Sequence, residues 1–245
     1  GSTNLCFLDA QTGELLGDVI SPYGLPDLIR PYSTSETLRF LVGHSWLTCG
    51  STVRLWIPFP EPHDSVAFSR SVNSAGRSED GWDTCGVVDF WTGSMEEGES
   101  ERLVVLRHGA VNQVSAYDIE TGDPLWDATL GVVPVALAVV TGATGKEAGV
   151  YVADRFGWLA RFDGRGRRTT SLRAASRILG MHVSERGNVV LWDRDDIVVV
   201  REDRVIDRYD PGGIPLGWYS DPVQPGLLCM TNSHLVLKDL SDPVD

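Results

Sequence analysis

Lysine is nearly absent from this chain. Of its 21 basic side chains 19 are Arg, with only Lys146 and Lys238 beside them, against 34 Asp and Glu and a formal charge of −13. Such a surface lacks the cationic footprint that neutralises phosphate, which argues against broad nucleic-acid or anionic-membrane binding. Long apolar runs are missing too. The longest, Leu130 to Val140, is too short to span a bilayer and contains Pro134. The four cysteines, Cys6, Cys49, Cys85 and Cys229, show no CxxC spacing. Cys6 and Cys229 stand in apolar runs, where a thiol packs as a small hydrophobe. A reducing, cytoplasmic setting is the expectation, with one disulfide between distant strands as the alternative. Helical periodicity is confined to Thr170–Leu179, which lacks a long apolar stripe. No GxSxG, HExxH, EF-hand loop or Gly-rich dinucleotide fingerprint occurs, and the P-loop echo at Gly142–Lys146 is short, with Glu147 where Ser or Thr is needed. The expectation is a protein with no catalytic residues, no metal and no cofactor.

What the chain does have is a rhythm of short apolar segments. Leu103–Arg107, Gln113–Tyr117, Val150–Ala153, Trp158–Phe162, Val189–Trp192, Ile197–Arg201, Leu227–Met230 and Leu235–Lys238 are rich in Val, Leu and aromatics, and most are bounded by Gly, Asp, Asn or Ser. That pattern predicts strands and hairpins, and an all-β chain. The segments also repeat. A strand ending in an acidic turn recurs at Asp9, Asp118, Asp163, Glu202-Asp203 and Asp239, with Arg54-Leu55-Trp56-Ile57 as a sixth member lacking the acid. Two of the turns, Asp9-Ala10-Gln11-Thr12-Gly13 and Asp118-Ile119-Glu120-Thr121-Gly122, nearly coincide. Aspartate bonds the turn's own N–H groups while Gly accepts positive φ, so these acids read as turn formers rather than catalytic carboxylates.

The Tyr117–Gly122 turn and the segment Thr48–Trp56 resemble the strand end and third strand of WD-repeat and pyrroloquinoline-quinone-type β-propellers, although no repeat carries the full Gly-His…Trp-Asp pair. The resemblance implies one propeller domain over residues 1–245, built of four-stranded antiparallel blades. Blades are expected from Gly86 to Trp126, from Val135 to Leu172 and from Gly180 to Tyr209. Before them the first repeat starts at a third or fourth strand, and after them the last lacks a fourth. Pairing of the N- and C-terminal strands is therefore expected to close a ring of five blades, with six the alternative count. Ser71–Trp82 and Met95–Glu101 read as surface loops.

Residues that such hairpins display are the candidates for binding. His44, Trp46, His108, Arg155, Trp158, Arg194 and His234 fall at or beside the turns between second and third strands, and are types suited to anchoring a protein partner. Trp158, with Trp56, Trp126 and Trp192, also fits packing between blades, whereas Trp46, Trp82 and Trp218 lie nearer loops. A second patch, Arg165, Arg167 and Arg168, interrupts the acidic background: residues 154–177 hold seven Arg against Asp154 and Asp163. It sits on a turn between third and fourth strands, where guanidinium groups grip carboxylate or phosphate. The two sets of turns are expected on opposite faces. Histidines on separate blades stand too far apart to hold zinc at about 2.0–2.1 Å. A non-catalytic interaction or sensing module with a protein partner is the leading reading. The alternatives are a propeller lectin, binding a glycan or small molecule, and a propeller glycoside hydrolase, which needs convergent carboxylates.

Overall fold

The computed structural model describes residues 86–109, 111–142, 147–184, 186–218, 226–231 and 234–237 with their side chains. For the strands before residue 72, and for residues 219 and 238, it describes the backbone, and it also describes Thr12. Among these residues there are β-strands and turns and no α-helix. β1 (Thr3–Leu8) and β2 (Leu15–Ser21) form a hairpin, followed by a four-stranded sheet of β3 (Leu28–Ser33), β4 (Leu38–Trp46), β5 (Gly50–Ile57) and β6 (His63–Ser71). The second sheet is β7 (Gly86–Gly93), β8 (Arg102–His108), β9 (Asn112–Asp118) and β10 (Pro124–Leu130). The third is β11 (Pro134–Val140), β12 (Gly149–Asp154), β13 (Trp158–Phe162) and β14 (Arg168–Arg173). The fourth is β15 (Gly180–Val183), β16 (Val189–Trp192), β17 (Ile197–Arg201) and β18 (Arg204–Tyr209). β19 (Ile214–Tyr219), β20 (Gly226–Met230) and β21 (Leu235–Lys238) make a three-stranded sheet.

In every sheet the strands lie in chain order, and the third and fourth sheets are antiparallel throughout. The expected segments Val135–Leu172 and Gly180–Tyr209 are these two sheets, and Thr48–Trp56 contributes the third strand β5. No helix forms over Thr170–Leu179, in keeping with the all-β expectation. Thr170–Arg173 completes β14, because β-branched Thr and alternating exposure suit an edge strand better than a helix. Of the expected loop Ser71–Trp82, Ser71 ends β6, and residues 72–82 lie outside the described residues. Met95–Glu101 is exposed except at Met95, which is buried in the core between the second and third sheets.

The chain divides into two compact units. One comprises Gly1–Val87, Arg107–Val111 and Glu120–Gly122, and contains β1 to β6. The other comprises Val88–Leu106, Asn112–Ile119 and Asp123–Asp245. Within this second unit the cores explain the sequence pattern. All six residues of β12 are buried, because the sheet is covered on both faces. Val150 and Val152 enter the core shared with the second sheet, while Tyr151 and Ala153 enter the core shared with the fourth. Each buried Val or Leu is worth about 1.5–3 kcal/mol, so these continuous apolar runs hold the stack together. The fourth strands β10, β14 and β18 instead alternate between exposed and half-buried, and their polar residues blunt an open edge. The first strands of successive sheets adjoin: Asp89 of β7 accepts a hydrogen bond from the Leu137 N–H of β11 at 3.3 Å, and β15 touches both β11 and β19.

A register shift recurs where the third strand turns into the fourth, between β5 and β6, β9 and β10, β13 and β14, and β17 and β18. The β1–β2 hairpin has the same shift at its turn end. It is therefore built like a third-to-fourth-strand hairpin, as the matching turns at Asp9 and Asp118 suggest.

Candidate functional site

The turn between β12 and β13 is organised by one side chain. Asp154 is 2% exposed, and its Oδ1 accepts hydrogen bonds from the N–H groups of Phe156 at 2.7 Å and Trp158 at 3.0 Å. Gly157, at φ 88°, completes the turn, and its carbonyl accepts from the Ala174 N–H at 2.9 Å. The pinned turn pushes Arg155 and Phe156 outward, with the guanidinium 4.9 Å from the ring centroid, and starts β13 at Trp158. Trp158 is 44% exposed and so does not serve as the inter-sheet packing residue that its position at a strand end suggests. Trp192 does, at 6% exposure.

Asp193 repeats the device in the fourth sheet. Its Oδ1 accepts from the Asp195 and Asp196 N–H groups, both at 2.7 Å, and leaves Arg194 exposed. Here the second oxygen is also used: Ser176, on the link from β14 to β15, donates its hydroxyl to Asp193 Oδ2 at 3.2 Å. Asp154 Oδ2 is buried and has no partner among the described residues. His234 is exposed in the β20–β21 turn, which Thr231 braces by accepting from the His234 N–H at 3.2 Å. His108 is half-buried at the end of β8. His44 and Trp46 depart from the expectation: both lie within β4, opposite Thr52 and Gly50, because β4 runs on past Gly43 before it turns. Their side chains lie outside the described residues.

The turns between third and fourth strands reach back to the preceding sheet. Asp163 Oδ1 accepts from the Arg165 and Arg167 N–H groups at 3.0 and 2.9 Å, and the Arg167 guanidinium closes on Oδ2 at 2.8 Å. Burial alone raises the Asp163 carboxyl, but these bonds outweigh it and hold the group below the ordinary carboxylate range. Arg102 of β8 donates to the Gly164 carbonyl at 2.9 Å. One sheet further on, Asp203 accepts from Arg161 at 3.3 Å, Thr170 at 2.7 Å and Tyr151 at 3.2 Å. Arg161, part of the basic run in the sequence, is thus 9% exposed and structural. Arg165 and Arg167 line a cleft of about 460 Å³ together with Arg102, but Glu96, Glu99, Glu147 and Asp163 line it too. With these carboxylates beside the guanidinium groups, the cleft is no dedicated anion grip. No group of three or more His, Cys, Asp or Glu among the described residues is placed to hold a metal ion.

A second opening differs in character. A groove of about 480 Å³ runs between β10 and the outer part of the third sheet. Val152, Ala160 and Phe162 form an apolar floor, and Ala128 to Val132 form the wall. Asp154 and Trp158 stand towards one end and Arg168 towards the other. Val152 pairs with Ala160 and Phe162 with Arg168, so side chains from three strands share this face. Trp158 and Phe162 are four positions apart on β13, about 13 Å at about 3.3 Å per residue. Residues beside both kinds of turn, at opposite ends of β13, line this one groove. The wall segment 128–132 and the unpaired oxygen of Asp154 carry no motif in the sequence; the only hint is Asp154-Arg155-Phe156-Gly157 itself.

No protein-family profile matches the sequence, and no curated protein sequence does. Solved structures do match the fold. BBS1N, in complex with ARL6DN, superposes with a TM-score of 0.66 at 11% identity, covering 96% of this chain and 71% of that one. BamB from Moraxella catarrhalis gives 0.59 at 13% identity, over 93% and 64% of the two chains. The Pan2 WD40 domain of Neurospora crassa gives 0.57 at 12% identity, over 87% and 60%. At such identities the likeness bears on fold alone, and the fold is that of β-propeller repeats.

Proposed function

We propose that this chain is a non-catalytic protein-interaction module, a single propeller domain whose displayed turn residues contact a protein partner. One observation carries the reading: Arg155, Phe156 and Trp158 are exposed together on a turn locked by the buried Asp154, which presents large side chains on a backbone already ordered before binding. Arg194 and His234 occupy the corresponding turns of the next two sheets and extend the proposed surface. That BBS1N is found in complex with another protein supports a partner-binding role for this fold. The proposed ring has five blades, the last drawn from β19–β21 and a strand of the β1–β2 hairpin. Six blades is the alternative if the two- and three-stranded sheets are separate.

The experiment compares capture of partner from source lysate by the wild-type chain and by the Arg155→Ala, Arg194→Ala double variant. The expected outcome is one near-stoichiometric partner, lost in the variant, with an unchanged melting transition because both side chains are exposed. Equal capture by both proteins overturns the choice of surface, and no enriched protein in repeated trials overturns the interaction reading.

A further inference from the structure

The groove between β10 and the third sheet has a chemical pattern that selects its occupant. Asp154 and Asp193 are the same residue in successive sheets, each spending Oδ1 on its own turn. In one sheet Ser176 of the preceding link supplies a hydroxyl to the remaining oxygen at 3.2 Å. In the other, the preceding link is Gly131-Val132-Val133, which has no side-chain donor, and Asp154 Oδ2 stays buried without a partner among the described residues. A buried acceptor left in this way costs more than its hydrogen bond returns, so the position favours an incoming donor. Asp154 lines the groove, whose floor is apolar and whose other end carries the exposed Arg168 guanidinium.

The spacing then sets the register. The two ends lie about 13 Å apart, the length of four residues of extended chain, and alternate side chains of an extended chain face the same way. We propose that this groove docks an extended segment of a partner protein with Ser or Thr at one position, an apolar residue two positions on, and Asp or Glu four positions on. The hydroxyl donates to Asp154 Oδ2 as Ser176 does to Asp193, the apolar side chain covers Val152 and Ala160, and the carboxylate pairs with Arg168. The groove volume is in the range of sites that bury a ligand of this size. The inference rests on the protein-interaction reading and adds the chemistry of the segment bound.

The test uses the full chain and two capped synthetic peptides, one containing Ser-Ala-Leu-Ala-Glu and one its reverse, with binding followed by calorimetry. At least one is expected to bind saturably. Replacing its Ser by Ala weakens binding about five-fold, the loss of one ordinary hydrogen bond. Asp154→Ala removes the acceptor altogether, leaving no group that donates to or accepts from the hydroxyl, and it abolishes the preference for Ser over Ala. Should that variant not fold, Arg168→Glu provides an independent arm: it loses the Glu peptide and gains the Lys counterpart. Neither peptide binding, or binding indifferent to Ser, Glu and Arg168, overturns the proposal. If the partner capture described above still depends on Arg155 and Arg194, such a result removes this groove and leaves the interaction reading standing.

Discussion

Asp203, on the turn between β17 and β18, lies 3.3 Å from the Arg161 guanidinium of β13, in the preceding sheet. The same carboxylate accepts from Tyr151 and Thr170, so one turn residue fastens three strands of its neighbour. Its backbone sits at φ 61°, beside Glu202 at 49°, a conformation that Asp tolerates better than Ala does. Asp203→Ala therefore removes a partner from a largely buried guanidinium and adds backbone strain. The expected loss is about 2 kcal/mol, or roughly 4–8 °C in Tm, read by urea unfolding and thermal melting. A change below about 0.5 kcal/mol, within the range of an ordinary surface substitution, contradicts the latch.

The latch also predicts alkaline sensitivity. Burial, reinforced by the Asp203 carboxylate, pushes the Tyr151 hydroxyl from 10.0 up to about 12, and burial with Asp207 does the same for Tyr209. A folded pKa above the unfolded one means that the unfolded state releases its proton first. The stabilising contribution is whole below pH 10 and disappears as pH climbs towards 12. Ultraviolet titration of the six tyrosines should show late-ionising groups, and Tyr151→Phe should remove one of them. A single transition near pH 10 with no late component counts against this arrangement.

Two glycines with similar φ should respond very differently. Gly98 has φ 81° and open space where a Cβ would stand, so Gly98→Ala meets only the positive-φ penalty, about 1 kcal/mol. Gly157 has φ 88°, but its Cβ would run into the Ala175 carbonyl. Gly157→Ala should cost several times more and disorder the turn that holds Trp158. Denaturant midpoints of the two variants decide the point; equal shifts contradict the packing described around Ala175.

Ser176→Ala should turn the Asp193 turn into a copy of the Asp154 turn, leaving Oδ2 without its donor. A loss of about 1–3 kcal/mol in urea unfolding is expected. No loss means that a second unpaired carboxylate oxygen is tolerated, and it weakens the argument that Asp154 awaits a donor.

The strands of the third and fourth sheets are legible in the sequence almost to the residue, because Val-rich runs buried on both faces are separated by Asp- and Gly-bearing turns. The acids at Asp154, Asp163 and Asp193 announce those turns through local chemistry that needs no tertiary contact. His44 and Trp46 escape such a reading because β4 runs on through Gly43, His44 and Ser45, types that elsewhere mark a turn, so composition there does not locate the strand end. Trp158 is open to two readings, since a tryptophan at a strand end has the same local signature whether a neighbouring sheet covers it or not.

Periodicity and turn residues, which act over a few positions, thus determined the repeat, its strands and its hairpins. Tertiary structure alone decided that Asp203 fastens the preceding sheet, that Arg161 is buried, and that Trp158 and Arg168 line one groove. It also decided that Asp193 meets a serine while Asp154 meets none. The physical reason is that each of these outcomes depends on which link or turn of an adjoining sheet arrives within hydrogen-bonding distance, about 3 Å, and no spacing along a single repeat encodes that meeting.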